Sequence, residues 1–296
     1  MAPGTPTSST GPFARGTSVR DALDGATTAI AAAGCETPRL DAELLLAHAL
    51  DVSREQLFMA SGREGGGEMK VEGPVVRTFQ DFVRRRSVLR EPVAYILGSR
   101  HFRHIELAAD SRALIPRPET ELLVEVALML PRGWAVLDVG TGSGAVALAL
   151  KDERPDLRVA GSDLSPQALA LARENGERLD LEVDWLEADL LQGVPEEFDA
   201  ILSNPPYVRD GDRATLAPEI LRHEPSSALF SGANGLDAIR LLIDQAAMRP
   251  GVRLLALEVG DGQASVAGEL MRAGFARVHA ERDLAGIERV VVGERP

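Results

Sequence analysis

One cysteine in 296 residues, Cys35, cannot form an internal disulfide or a cysteine-rich zinc or iron–sulfur site. A lone thiol fits a reducing cytoplasm. Long apolar runs are also missing. No stretch approaches the roughly 18 uninterrupted apolar residues of a membrane-spanning helix, so no membrane association is expected. Positive charge is short, with 32 lysines and arginines against 45 aspartates and glutamates, a net charge of −13. Proteins that grip nucleic acid usually neutralise phosphates with a basic surface, so this balance argues against stable DNA or RNA binding. Aromatic residues make up only 4% of the chain, and no basic, aromatic recognition domain stands out. The first sixteen residues, MAPGTPTSSTGPFARG, lack the apolar core of a secretory signal. Their Pro, Gly, Ser and Thr content predicts a disordered tail over residues 1–16.

An apolar fraction of 45% is ordinary for a globular protein, and the length suggests two domains. Residues 17–93 read as a helical bundle suited to recognising a partner or capping the fold. Val19, Leu23, Ala26 and Ile30 recur at helical spacing, and Gly34 can end that helix. Leu40, Leu44, Ala47 and Leu50 form a second stripe, and Gly62 to Gly67 a loop. Val75, Phe79, Phe82, Val83 and Leu89 form a third. Residues 94–114 turn irregular and β-like around Gly98, which predicts a hairpin linker. From residue 115 to 296 strands and helices alternate: strands over 135–139, 158–161, 181–187, 198–203, 253–259 and 289–292, helices over 145–151, 166–176, 236–248 and 264–273. This alternation predicts an α/β fold, a parallel sheet with helices on both faces.

Two motifs carry chemistry. The first is Leu137-Asp138-Val139-Gly140-Thr141-Gly142-Ser143-Gly144, between a strand and a helix. Its glycines allow a sharp turn and close approach to a ligand, and its G-x-G-x-G spacing differs from the dinucleotide fingerprint. Asp163 ends the next strand, where a carboxylate can accept hydrogen bonds from both ribose hydroxyls of a nucleoside. Ser165 is the better cap for the following helix, because Pro166 then takes the first helical position. That leaves Asp163 for a ligand. Asp189, after the third strand, is a candidate adenine contact.

The second motif is Asn204-Pro205-Pro206-Tyr207, delivered by an apolar strand to the same sheet edge. The prolines stiffen and extend the backbone. The Asn204 side-chain oxygen and the Pro205 carbonyl can accept both protons of a planar –NH₂ group, and the Tyr207 ring can stack on it. An amide nitrogen needs such orientation because its lone pair is delocalised, the resonance behind a rotational barrier of roughly 18–20 kcal/mol. Fixed acceptors oppose that delocalisation and aim the nitrogen at a methyl donor.

With these motifs the chain resembles the HemK family, peptide chain release factor N5-glutamine methyltransferases that modify the Gly-Gly-Gln motif. The resemblance runs from about Val19 to Val292. Its more specific segments are Glu91-Pro92-Val93-Ala94-Tyr95-Ile96-Leu97-Gly98 and Leu114-Ile115-Pro116-Arg117-Pro118-Glu119-Thr120-Glu121. It continues in Glu224-Pro225, Ala228-Leu229, Gly235-Leu236-Asp237, and Glu258 with Gln263. The resemblance implies a class I S-adenosylmethionine-dependent methyltransferase, with a Rossmann-like seven-stranded sheet and a helical N-terminal domain that helps hold the release factor. It implies Gly140, Thr141, Gly142, Ser143, Gly144 and Asp163 at the cofactor, S-adenosyl-L-methionine. It places Asn204 within reach of both cofactor and substrate, and Pro205, Pro206 and Tyr207 at the substrate glutamine. Many members carry tryptophan after the aspartate matching Asp189. Here Leu190 follows, covering adenine by apolar contact without stacking.

Two charged segments have local readings. Pro118 suits a first helical turn, and Glu119 and Glu121 complement its dipole. Arg84, Arg85, Arg86, Arg90, Arg100 and Arg103 form the best basic patch, facing an acidic partner or merely solvent. Competing functions are an amino methyltransferase of DNA or RNA, which flips its base from a duplex, a ribosomal-protein glutamine methyltransferase, and a non-catalytic module that keeps the cofactor pocket.

Overall fold

The computed structural model describes residues 17–61, 70–195 and 197–296. The expected tail over 1–16 and the loop over 62–67 lie outside the described residues. The chain divides between Leu97 and Gly98. Among the described residues no helix is long and apolar enough to cross a membrane.

The first unit holds five helices among its described residues: α1 (Val19–Ala32), α2 (Pro38–Leu50), α3 (Arg54–Ser61), α4 (Pro74–Ser87) and α5 (Val93–Leu97). Strands β1 (Thr17–Ser18) and β2 (Lys70–Val71) pair antiparallel. The α1 stripe Val19, Leu23, Ala26 and Ile30 is buried as the spacing predicts. Helix α2 departs from its expected stripe. Its buried face is Asp41, Ala42, Leu45, Leu46 and Ala47, while Leu40 is exposed. The cause is a buried ion pair. Arg86 Nε donates to Asp41 Oδ2 at 2.6 Å, and both side chains are nearly inaccessible. A buried charge requires its partner, so Asp41 turns inward and sets the helix rotation.

Separate partners take up most of the rest of the expected arginine patch. Arg84 pairs with Asp81, and Arg85 grips Glu91 with two bonds of 2.7 and 2.6 Å. Arg90 donates to the Ala33 carbonyl, and Arg103 pairs with Glu153. Five of the six arginines therefore serve the fold.

The second unit begins with a hairpin, β3 (Ser99–Phe102) and β4 (Ile105–Ala108). Its helical prelude α5 occupies the start of the segment expected to be β-like. The Pro92 carbonyl accepts from the amides of Tyr95 and Ile96 and closes a helical turn there, and Gly98, at φ 73°, breaks it. Helix α6 (Glu121–Leu128) leads into the alternating region: β5 (Ala135–Val139), α7 (Ala145–Glu153), β6 (Arg158–Asp163), α8 (Pro166–Leu179), β7 (Asp184–Glu187) and β8 (Ala200–Ser203). Then come α9 (Pro218–His223), α10 (Asp237–Ala247), β9 (Leu254–Glu258), α11 (Ala264–Met271), β10 (Arg277–Arg282) and β11 (Glu288–Glu294).

The seven strands lie in the order β10-β11-β9-β8-β5-β6-β7, and β5 to β9 run parallel. Strands β5, β8 and β9 are buried along their whole length, as a sheet covered on both faces demands. Strand β10 was not foreseen. It is an edge strand paired only with β11, and its sequence, RVHAER, is half exposed and lacks a continuous apolar run. The strand order reverses at β5, which puts a crevice at the carboxyl ends of β5 and β8.

Candidate active site

Register decides what shares that crevice. Val139 is level with Ser162 and Ser203, and Ser203 with Leu257. The next residues along these four strands are Gly140, Asp163, Asn204 and Glu258, so one sheet edge carries both motifs. The Ser203 hydroxyl ties β8 to the Val139 carbonyl at 2.7 Å. A cavity of about 600 Å³ opens there, lined by Gly140, Thr141, Gly142, Ser143, Asp163, Asp189, Leu190, Asn204 and Pro206. Of the expected site residues, Gly144, Pro205 and Tyr207 do not line it.

The glycine turn is held from below. The Thr141 hydroxyl donates to Asp138 Oδ2 at 2.6 Å, and the Thr141 amide to the Ser162 carbonyl at 2.9 Å. Gly140 has φ 70°, and nothing stands within 4 Å of where a Cβ would sit. Its backbone thus faces open space from a conformation that disfavours side chains. Gly144 has a packing role: a Cβ there would meet Trp185 at 2.9 Å. Asn175, fully buried and missed in the sequence, donates to the Ser143 and Ala108 carbonyls at 3.0 and 3.2 Å. A lone Asn in an amphipathic helix carries no signal of such a role.

Ser165 caps α8 as expected, accepting from the Ala168 amide at 3.2 Å. Asp163 is nonetheless committed in part. It accepts from the Gly142 and Ser165 amides, each at 2.9 Å. A carboxylate has about four lone-pair sites, so acceptor capacity remains beside the cavity. Burial raises the Asp163 pKa, and these backbone amides oppose the rise. Asp189 is exposed on the rim. Leu190 takes φ 51°, unusual for a branched residue. With Leu164 and Leu241, neither foreseen, it gives the cavity an apolar wall. A nucleoside fits this set: flat apolar cover, an acidic acceptor and an open glycine backbone.

Beside that wall, the Asn204 Nδ2 group donates to the Thr120 hydroxyl at 2.9 Å, and the Thr120 hydroxyl donates to Glu258 Oε2 at 2.6 Å. The Tyr207 hydroxyl reaches Glu258 Oε1 at 3.3 Å. Burial raises the pKa of Tyr207, and the neighbouring Glu258 charge adds to the rise. Burial also raises the pKa of Glu258, against its two hydroxyl donors and Arg289. Gln263 holds the Tyr207 carbonyl at 3.1 Å and accepts from the Gly260 amide at 2.8 Å. Glu224 accepts from the Ile115 amide at 3.1 Å and from Arg117 at 2.5 Å. The segment before α6 is therefore clamped by Glu224 and by Glu258, and Thr120 lies between them.

The PrmC N-terminal domain family matches residues 21–98, and the Methyltransferase small domain family matches 118–234. A release factor glutamine methyltransferase of Deinococcus radiodurans is 41% identical over 286 residues, covering 94% of this chain and 98% of that protein. Its counterpart from Rhodospirillum rubrum is 40% identical over 279 residues, covering 92% and 84%. This chain belongs to the release factor glutamine methyltransferase family. Among solved structures, the hMettl16 catalytic domain in complex with an RNA hairpin superposes with a TM-score of 0.50 at 15% identity, over 74% of this chain and 81% of that one. That likeness concerns the fold alone, which is the class I S-adenosylmethionine-dependent methyltransferase fold. In this family member the glycine turn, Asp163 and the Asn-Pro-Pro-Tyr segment meet at one crevice, with Thr120 on its wall and Glu258 behind Thr120.

Proposed function

We infer that the protein transfers a methyl group from S-adenosyl-L-methionine to the side-chain amide nitrogen of the glutamine in the Gly-Gly-Gln motif of peptide chain release factors, in the cytoplasm. The observation that carries this reading is the placement of Asn204 beside the cavity with its amide nitrogen already engaged. Among the described residues nothing donates to Asn204 Oδ1, so that oxygen remains for a substrate –NH₂ group.

The cofactor supplies an electrophilic methyl group. In this reading Gly140, Thr141, Gly142, Ser143 and Gly144 shape the turn against it, Asp163 takes its ribose, and Leu190 and Asp189 flank its adenine. Asn204 Oδ1 and the Pro205 carbonyl accept the two amide protons. Those acceptors favour positive charge developing on the nitrogen and hold it in line for attack. Pro206 keeps the backbone extended, and the Tyr207 ring packs on the planar amide. Nucleic acid has no place in this reading, since the net charge is −13 and most of the arginine cluster is paired within the fold.

The test is a labelled-methyl assay with intact release factor, a release factor lacking the Gly-Gly-Gln glutamine, DNA and RNA, followed by peptide mapping. Label confined to that glutamine is the expected result. Label in nucleic acid with release factor left unmodified would replace this reading with the amino methyltransferase one.

A further inference from the structure

We propose that Glu258 and Thr120 form a positioning relay that locks the Asn204 side-chain amide with its oxygen toward the substrate and its nitrogen away from it. The proposal rests on the reading of Asn204 as the substrate's acceptor, and it concerns how that orientation is enforced.

Proton bookkeeping carries the argument. The Asn204 amide has two nearly isosteric ends, one accepting and one donating. Rotated by a half-turn it would present –NH₂ to an incoming –NH₂ group, and the site would repel its substrate. The backbone cannot prevent this rotation, because proline constrains only φ and the preceding residue. Hydrogen-bond polarity can. Glu258 is buried, and the Thr120 and Tyr207 hydroxyls and the charge of Arg289 favour its ionised form against that burial; as a carboxylate it can only accept. Its Oε2 takes the Thr120 proton at 2.6 Å, a short bond of the charge-assisted kind. The Thr120 hydroxyl has one proton, now committed, so toward Asn204 it can only accept. Its contact at 2.9 Å must therefore come from Asn204 Nδ2–H. The flipped amide would set two acceptors face to face, or strip Glu258 of its short bond.

Tertiary contacts make the relay stiff. Thr120 is buried in the turn after Pro118, and that segment is tied at its other end by Glu224. The second Glu258 oxygen takes the Tyr207 hydroxyl at 3.3 Å, so one carboxylate orients both ends of the Asn-Pro-Pro-Tyr segment. This assigns a purpose to the threonine of Ile115-Pro116-Arg117-Pro118-Glu119-Thr120-Glu121 and to Glu258 at the end of β9. Neither need touch the substrate.

The test uses the full-length enzyme with cofactor bound. Thr120→Val keeps the shape and removes the hydroxyl, Thr120→Ser restores it, and Glu258→Gln gives Thr120 a partner that can donate as well as accept. The ¹⁵N–¹H₂ signals of the Asn204 side chain, assigned by their loss in Asn204→Ala, report its hydrogen bond without any substrate. Single-turnover rates on release factor report the consequence. Thr120→Val is expected to move those signals to the positions of a free amide. It should also slow transfer on the order of tenfold to a hundredfold, by more than any change in cofactor affinity explains. Thr120→Ser should recover both readouts, and Glu258→Gln should shift both in the direction of Thr120→Val. If Thr120→Val does not fold, Glu258→Gln carries the same comparison. Unchanged Asn204 signals, or a wild-type rate, in these variants would overturn the relay. Signals that respond as expected in an enzyme that leaves release factor unmethylated would support the relay and sink the substrate assignment instead.

Discussion

Asp138 lies wholly inside the sheet beneath the glycine turn, and burial pushes its carboxyl up to about 7. The Thr141 hydroxyl and the Ala147 amide oppose the rise, and the Asp163 charge adds to it. The folded pKa exceeds the ordinary value of 3.8, so the folded state holds a proton that the unfolded chain releases. Stability from this group is full below the unfolded pKa and lost as pH rises through about 7. Thermal denaturation of the ligand-free protein from about pH 4 to pH 8 should therefore show a decline that is shallower in Asp138→Asn. Equal slopes for the two proteins would rule Asp138 out as its source. At this scale the sequence was a good guide to residue types and a poor one to commitments. Asp163 could be read as a ligand to a ribose, but its bonds to the Gly142 and Ser165 amides join residues 21 and 2 positions away, and only folding reveals the longer one.

Elements carry the motifs to a common edge, and close loop packing holds them there. The loop before α10 crosses behind the Asn-Pro-Pro-Tyr segment with almost no clearance. A Cβ on Gly235 would stand 2.2 Å from the Tyr207 carbonyl oxygen and 2.9 Å from Gln263 Nε2, at φ 71°. Gly235→Ala must therefore displace the Tyr207 backbone or twist its own. We expect the single-turnover rate to fall by more than about tenfold while cofactor affinity stays within about twofold, since the glycine turn is on other strands. Calorimetry beside rapid-quench kinetics separates the two. A wild-type rate would show that the Tyr207 backbone tolerates the shift. Periodicity located β5, β8 and β9 because these strands are buried on both faces and read as apolar runs. It missed β10, whose half-exposed edge leaves no such run, and it misplaced the buried face of α2, where an ion pair overrides the leucine spacing.

Across the whole molecule, the acidic balance and the two-unit organisation bear on partner choice. All residues lining the cavity at the sheet edge lie at Arg112 or beyond, within the second unit. That unit has buried clusters of its own on either side of the sheet, including Leu137, Ile201 and Leu257 in one and Val136, Leu148 and Leu202 in the other. A chain beginning at Gly98 is expected to fold and to bind S-adenosylmethionine with near full-length affinity. Its activity toward intact release factor should fall at least about tenfold, because remote contacts help align the reacting amide. Methylation of release factor at the full-length rate by the shorter chain would remove the helical unit from substrate recognition.

The amino-acid sequence alone determined the chemistry on offer. Local motifs specify a glycine turn, an acidic strand end and a stiff Asn-Pro-Pro-Tyr segment, because each is a property of a few adjacent residues and their allowed backbone angles. Apolar alternation specified the α/β class for the same reason. What the tertiary structure decided is which proton points where. Thr120, Asn204 and Glu258 are separated by 84 and 138 positions from first to second and first to last. Their contact arises from strand order and register, and hydrogen-bond polarity propagates only through atoms in contact. The orientation of the Asn204 amide is therefore a consequence of packing, invisible to any local reading of the chain.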